Sequence, residues 1–433
     1  MSNSDECGRC DVVIIGAGIV GLAAAYHIKR EHPSEKILVL EKAAGPGQGD
    51  TAKSVSAVRN VFSSEINRTL ANTSIDFYES IQKSGTNLNL QFIGYLWLLS
   101  DRQYSRNEAV INEMRSQGVP LKLLEPQQLK EDVPSLNPVL NREDEDVKML
   151  GADNVAYGLL GKRCGVIAAE KLVEFFEKEF RKLGGLVKYR CSASSLIVEG
   201  HPPLNLPNEP FIWQNKKLTQ IQTQDRERVK ARMVVVATGC WTHQLLDPIG
   251  LDAHMRPRKK QVFVLTGESV RKVSCSTLNE SGTLPFTILP KSGVYLRPVK
   301  SENSLWVSAG EGLGHPFGLE ENPSVDESYY TYNIAPVVGT YFPLLRGVRP
   351  NNMWAGNQDI NTIDKKPVIY KEGQLIVANG SSGGGIMKAD SLGRIVASLY
   401  DDNPRTELFG GTQISSLALG IEGRDFSVER FEL

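Results

Sequence analysis

The chain has 433 residues, with 49 Lys plus Arg set against 50 Asp plus Glu. That length predicts about two to three domains with ample core. The balanced charge leaves no basic face for nucleic acid, and no run of 18 apolar residues is available to cross a membrane.

Taken in chain order, the first signal is a strand, Val12-Val13-Ile14-Ile15, running into Gly16-Ala17-Gly18-Ile19-Val20-Gly21 and a helix over residues 22–28. A second apolar run, Ile37-Leu38-Val39-Leu40, ends at Glu41, 20 positions after Gly21. This is the strand, glycine turn, helix, strand and acidic residue of a dinucleotide site. Gly16 serves the tight turn, Gly18 the approach of a pyrophosphate to the helix N-terminus, and Gly21 the packing of helix on strand. Glu41 accepts from a ribose diol and repels a 2′-phosphate.

Residues 87–99 read as a strand of a second sheet. An amphipathic helix with Leu172, Val173, Phe176 and Phe180 at helical spacing follows and stops at Gly184-Gly185. Next come a strand at 186–189, a hairpin-like stretch at 195–213, and a buried strand at 232–237 that runs into Thr238-Gly239. A second excursion, 257–350, carries strands at 261–265, 293–296 and 305–308. Near the end, strand 375–379 leads into Gly380-Ser381-Ser382-Gly383-Gly384-Gly385 and a helix through Ile386, Met387, Lys388, Leu392, Ile395 and Val396. A second helix N-terminus at the same sheet edge suits a long ligand with polar groups at both ends, such as FAD.

These residues resemble the D-amino-acid oxidase/sarcosine oxidase (DAO) family of flavoproteins over residues 11 to 400. The resemblance rests on the fingerprint from Gly16 to Glu41, Val236-Ala237-Thr238-Gly239, Trp354-Ala355-Gly356, Asp364-Lys365-Lys366-Pro367, and the terminal glycine loop with Gly393-Arg394. It is nearest to the branch that oxidises amines and N-methylamino acids. It implies an α/β (α+β overall) fold, in which a Rossmann-like FAD-binding domain (1–85, 160–256, 351–433) carries an inserted mixed or antiparallel substrate domain (86–159, 257–350). The FAD contacts it implies are Gly16, Ala17, Gly18, Ile19, Val20, Gly21, Glu41, Lys42, Thr51, Ser54, Ser56, Ala57, Ala193, Ala237, Thr238, Gly239, Trp241, Gly356, Ser382, Gly383, Gly384, Gly385, Ile386, Met387 and Lys388.

The expected reaction is oxidation of a secondary amine, or of an N-alkyl or cyclic amino acid, by hydride transfer to FAD. Arg59 matches the family's carboxylate-binding arginine. Asp359, Asn361 and Asp364 form a polar cluster expected near flavin or substrate, and Lys388 is placed to offset charge on the reduced flavin or to reach the substrate. Tyr330, Tyr332 and Asn333 are candidates for pocket lining or for packing. The branch's flavin-anchoring cysteine is missing from Gly356-Asn357-Gln358-Asp359-Ile360-Asn361, so FAD is expected to be noncovalent. Trp306 stands where that branch has an oxygen-activating lysine, which implies an acceptor other than O₂, either a protein or a quinone. His315 reads as a loop residue, and His27 and His32 as structural.

Two other readings stay open: a 2-hydroxy-acid dehydrogenase or oxidase on the same fold, and a non-catalytic flavin-binding assembly protein. The former is weakened because the loop after Glu41 lacks the histidine-rich pattern of such relatives. Six cysteines without disulfide-framework spacing and a polar, acidic start predict a cytoplasmic protein. Cys7 and Cys10 read as thiols on a tail before the first strand rather than as half a metal site, since no second Cys or His pair completes one. No metal is expected.

Overall fold

A computed structural model describes residues 9–291, 293–310, 315–422 and 424–431. Two eight-stranded sheets organise them. The main row of the first runs Val368–Glu372, Leu375–Asn379, Arg228–Val236, Cys10–Ile15, Ile37–Leu40, Leu186–Lys188. Every neighbour in that row is parallel except the antiparallel edge pair Val368–Glu372 with Leu375–Asn379. Strands buried on both faces need continuous apolar runs, and Val12, Val13, Ile14, Val235 and Val236 are all fully enclosed. A hairpin of Ala193–Gly200 and Lys216–Thr223 extends the sheet from the start of Arg228–Val236.

Register decides where the site lies. Ile15 pairs with both Leu40 and Val236, so Gly16, Glu41 and Ala237 leave the sheet side by side at its carboxyl edge. Helix Ile19–Glu31 starts there, and so does helix Gly385–Tyr400, which packs along it. The approach is close because Ala23, Ala24 and Ala25 are small and fully buried, and a Cβ on Gly393 would lie 2.7 Å from the Ala23 carbonyl.

The second sheet runs Asn352–Ile360, Arg256–Thr266, Ser304–Ala309, Val294–Val299, Phe286–Ile288, Tyr95–Leu99, Tyr157–Gly161, Leu121–Leu124. All its pairs are antiparallel except Phe286–Ile288 with Tyr95–Leu99. Alternation along the strands splits the side chains. Leu96, Leu98, Phe263, Leu265, Leu296 and Val307 fill one core, while Tyr95, Trp97 and Phe286 join a separate cluster on the opposite face.

Several placements differ from the sequence reading. Strand Asn352–Ile360, assigned there to the FAD-binding part, pairs along its whole length with Arg256–Thr266 in the second sheet. Cys10 is not on a tail: it is the first residue of the first strand and 1% exposed. Cys7 lies outside the described residues. Tyr330 is a core residue whose hydroxyl donates to the Val348 carbonyl, and Tyr332 is exposed, so neither lines a pocket. Among the described residues no helix is long and apolar enough to cross a membrane, and no group of three or more His, Cys, Asp or Glu could hold a metal.

Candidate active site

Between the two sheets lies a cavity of about 1910 Å³. A pocket for a small molecule is usually roughly 300–1,000 Å³, so this one has room for an extended ligand and a second, smaller one. Its wall includes Gly16, Gly18, Ile19, Val20, Glu41, Lys42, Thr51, Ser54 and Arg59 from the first part of the chain. Ala193, Ala237, Thr238, Gly239, Trp241, Gly356, Asp359, Ser382, Gly383, Gly385 and Ile386 complete the expected set that reaches it.

The three fingerprint glycines divide by cause. Gly16 has φ +105°, and a Cβ there would meet the Ala237 carbonyl oxygen at 2.5 Å. A Cβ on Gly21 would sit 2.0 Å from the Gly16 carbonyl oxygen. The fold therefore requires both. At Gly18 a Cβ would meet only the Thr51 hydroxyl, at an ordinary 3.5 Å, so the protein itself does not demand a glycine. Gly18 caps helix Ile19–Glu31, whose first turn holds no acidic residue, and it faces the cavity. A helix N-terminus left open to a cavity is an anion site.

Glu41 stands beside it. One carboxylate oxygen accepts from Ala17 N–H at 2.7 Å and the other from Ala43 N–H at 2.8 Å. Thr51 Oγ accepts from Ile19 N–H at 3.3 Å. Lys42 lies 3.7 Å over the Trp241 ring, and both donate to Glu321, which reaches across from the second excursion. Ala17 and Gly21 stay behind the wall. Ser56 and Ala57 do too, Ala57 being paired with Val166.

At the other end, helix Gly385–Tyr400 points its N-terminus into the cavity. The loop before it is tightly built: Ser382 and Gly383 have φ +49° and +83°, and a Cβ on Gly383 would strike Gln358 Nε2 at 2.1 Å. Asp359 holds this loop by accepting from Ser381 N–H at 2.9 Å and from Ser381 Oγ at 2.8 Å. Burial pushes the Asp359 carboxyl up to about 6, with Asp50 adding to the rise. Asp50 in turn accepts from Asn357 N–H at 2.8 Å.

Arg59 belongs to the same wall. It lines the cavity with Trp97, Ile288 and Tyr295, and its guanidinium lies 4.4 Å over the Phe62 ring. Among the described residues it has no carboxylate partner.

Three expectations are corrected. Lys388 does not reach the cavity: it is 2% exposed, donates to Asn67 Oδ1 at 2.7 Å and lies 4.8 Å over Phe62. Burial, with Arg59 nearby, draws its ammonium down to about 7. Met387 and Gly384 likewise stay off the wall. Asp364 is taken by Arg424, with two contacts of 2.8 Å, and by Asn361 Nδ2 at 2.8 Å, so of the polar cluster only Asp359 faces the cavity. Trp306, not itself a wall residue, packs between Arg297, 4.2 Å over its ring, and Trp354, 4.8 Å away, while Lys53 and Lys260 line the cavity.

Sequence reasoning missed Asp50, Trp97, Gln358, Tyr295, His315 and Phe431 as wall residues. The alternation Tyr95, Trp97, Leu99 marks one face of a strand, but which face meets a cavity depends on packing. Phe431 carries no local signal.

A family model described as DAO, FAD dependent oxidoreductase, matches residues 11–399. The chain is 23% identical over 434 residues to FAD-dependent oxidoreductase domain-containing protein 1 of Xenopus laevis, covering 91% of this chain and 79% of that protein. It is 26% identical over 244 residues to human peroxisomal sarcosine oxidase, covering 56% and 53%. Among solved structures, L-proline dehydrogenase from P. horikoshii superposes with a TM-score of 0.72 at 21% identity, covering 91% of this chain and 94% of that one. The family match spans most of the chain, which therefore belongs to the DAO family of FAD-dependent oxidoreductases.

Proposed function

We propose that this protein dehydrogenates a secondary amine bearing a carboxylate, an N-alkyl or cyclic amino acid, with noncovalent FAD and an electron acceptor other than O₂. The observation that carries the reading is Arg59, a cation without a carboxylate partner among the described residues, on the wall of a cavity built for a longer ligand. The names of the relatives, sarcosine oxidase and L-proline dehydrogenase, agree with an amino-acid substrate.

Gly18, Ile19 and Thr51 would hold the phosphates of FAD, Glu41 a ribose diol, and the N-terminus of helix Gly385–Tyr400 the polar edge of the flavin. Bound FAD supplies acceptance of two electrons. The chain's own part is orientation: a guanidinium fork fixes a carboxylate by two parallel hydrogen bonds, and so fixes the neighbouring C–N bond. The same positive charge favours the neutral amine over the ammonium, the form with an electron pair available for oxidation. The missing cysteine at residues 356–361 supports noncovalent FAD. The alternative acceptor rests on the resemblance alone, which sets Trp306 where the related branch has a lysine, while Lys53 and Lys260 line the cavity wall.

Losing one partner of such a pair costs ~2–5 kcal/mol. Arg59→Ala is therefore expected to raise the KM for the amino acid by roughly two orders of magnitude or more. Arg59→Lys should restore only part of this, because an ammonium makes no fork. FAD content is expected to be unchanged in both. Near-normal KM in Arg59→Ala, or loss of FAD from it, removes Arg59 from substrate binding.

A further inference from the structure

We propose that residues 424–431 form a strap whose last described residue, Phe431, builds the apolar half of the substrate subsite. The protein thereby selects a carboxylate attached to an apolar body over a small or polar one. The inference rests on the carboxylate reading of Arg59.

The strap lies beyond residue 399, where the family match ends, yet it is pinned at each end. At its start, Arg424 is 7% exposed, forks onto Asp364, and also donates to the carbonyls of Leu419, Lys366 and Pro367 at 2.8, 3.1 and 3.0 Å. Lys366 Nζ returns a hydrogen bond to the Asp425 carbonyl at 2.6 Å. At its far end, Glu429 accepts from the N–H groups of Ser63 and Ser64, where helix Glu65–Lys83 begins. Arg430 Nη2 donates to both carboxylate oxygens of Glu113, on helix Asp101–Ser116, at 2.7 Å each. Two consecutive anchors leave little freedom to the next residue.

That residue faces inward. Phe431 is 5% exposed, meets the Trp97 ring edge-on at 5.5 Å and lines the cavity beside Arg59, Ile288 and Tyr295. Behind these lie Tyr95 and Phe286, stacked at 4.2 Å, with Phe286 5.0 Å from Tyr295. The subsite thus offers one guanidinium in an aromatic and aliphatic wall. A carboxylate pairs with Arg59 while an apolar body leaves water for the wall, and a polar body would give up its hydrogen bonds there. Phe431 acts as a specificity-determining residue, not a catalytic one.

The test is calorimetric titration of the FAD-loaded full chain with two unreactive acids of equal charge, acetate and cyclohexanecarboxylate. The wild type should prefer cyclohexanecarboxylate. Phe431→Ala should weaken that acid on the order of tenfold while acetate changes by less than about twofold. Phe431→Leu should show a smaller loss, and FAD content should be constant throughout. Equal weakening of both acids, no weakening of cyclohexanecarboxylate, or loss of FAD overturns the inference and leaves the Arg59 reading standing. A wild type that binds neither acid overturns the Arg59 reading and this inference with it.

Discussion

His27 shows how one enclosed side chain makes stability depend on pH. Its Nε2 lies 2.8 Å from Asp390 Oδ1, both side chains are 0% exposed, and aromatic rings of Tyr26, Phe77 and Phe176 surround it. Burial lowers the imidazole to about 4, against the pull of Asp390 in the other direction. The folded state therefore favours the neutral ring. Above the unfolded value of 6.5 this costs nothing; as pH falls from there toward 4, the unfolded chain takes up a proton that the folded chain refuses, and stability is lost. The loss expected at pH 5 is about 2 kcal/mol. Urea unfolding at pH 7.5 and pH 5 measures it, and His27→Gln, which keeps a donor for Asp390, should lose less over that interval. Equal losses in the two proteins would show that other groups carry the acid sensitivity.

Helices Ile19–Glu31 and Gly385–Tyr400 place the two N-termini that face the cavity, so their contact sets the distance between the ends of the proposed cofactor site. Gly393 lies at that contact. With 2.7 Å between its virtual Cβ and both the carbonyl carbon and oxygen of Ala23, the obstacle is backbone and has little room to yield. Gly393→Ala should cost about 1–3 kcal/mol, the range for overpacking, and weaken FAD retention during gel filtration. A variant with unchanged melting temperature and FAD content would mean that the helices can separate freely. The parallel strands of this half were legible because strands buried on both faces show as unbroken Val/Ile/Leu runs. Helix Asp101–Ser116 was not, because it buries only Asn107, Ile111 and Met114 and so shows almost no apolar period. Its one sequence mark is the capping box of Ser100 and Gln103. That strand Asn352–Ile360 joins the second sheet was not legible, because its partner, Arg256–Thr266, lies far away in sequence.

Across the whole molecule, one sheet supplies two helix N-termini and the other an aromatic wall, and the cavity between them takes residues from nearly every part of the chain. The wall around Gly16, Gly18, Ile19 and Glu41 was readable because its signal is local: a turn, a helix start and an acidic residue within one stretch. Of the half proposed for the substrate, only Arg59 stood out in the sequence. Lys388 was misplaced because it follows wall residue Ile386 by two positions, roughly 200° around a helix, and so points to Asn67. Asp364 was misplaced because its partner Arg424 lies 60 residues away in sequence. The most direct test of the central claim is anaerobic mixing of the FAD-loaded protein with sarcosine, proline and larger N-alkyl amino acids, alongside the matching 2-hydroxy acids, while the flavin absorbance is followed. Bleaching by N-substituted amino acids, with the hydroxy acids inert and Arg59→Ala needing far higher concentrations, is the predicted result; bleaching by the hydroxy acids alone, or by none of the compounds with FAD fully bound, would contradict it.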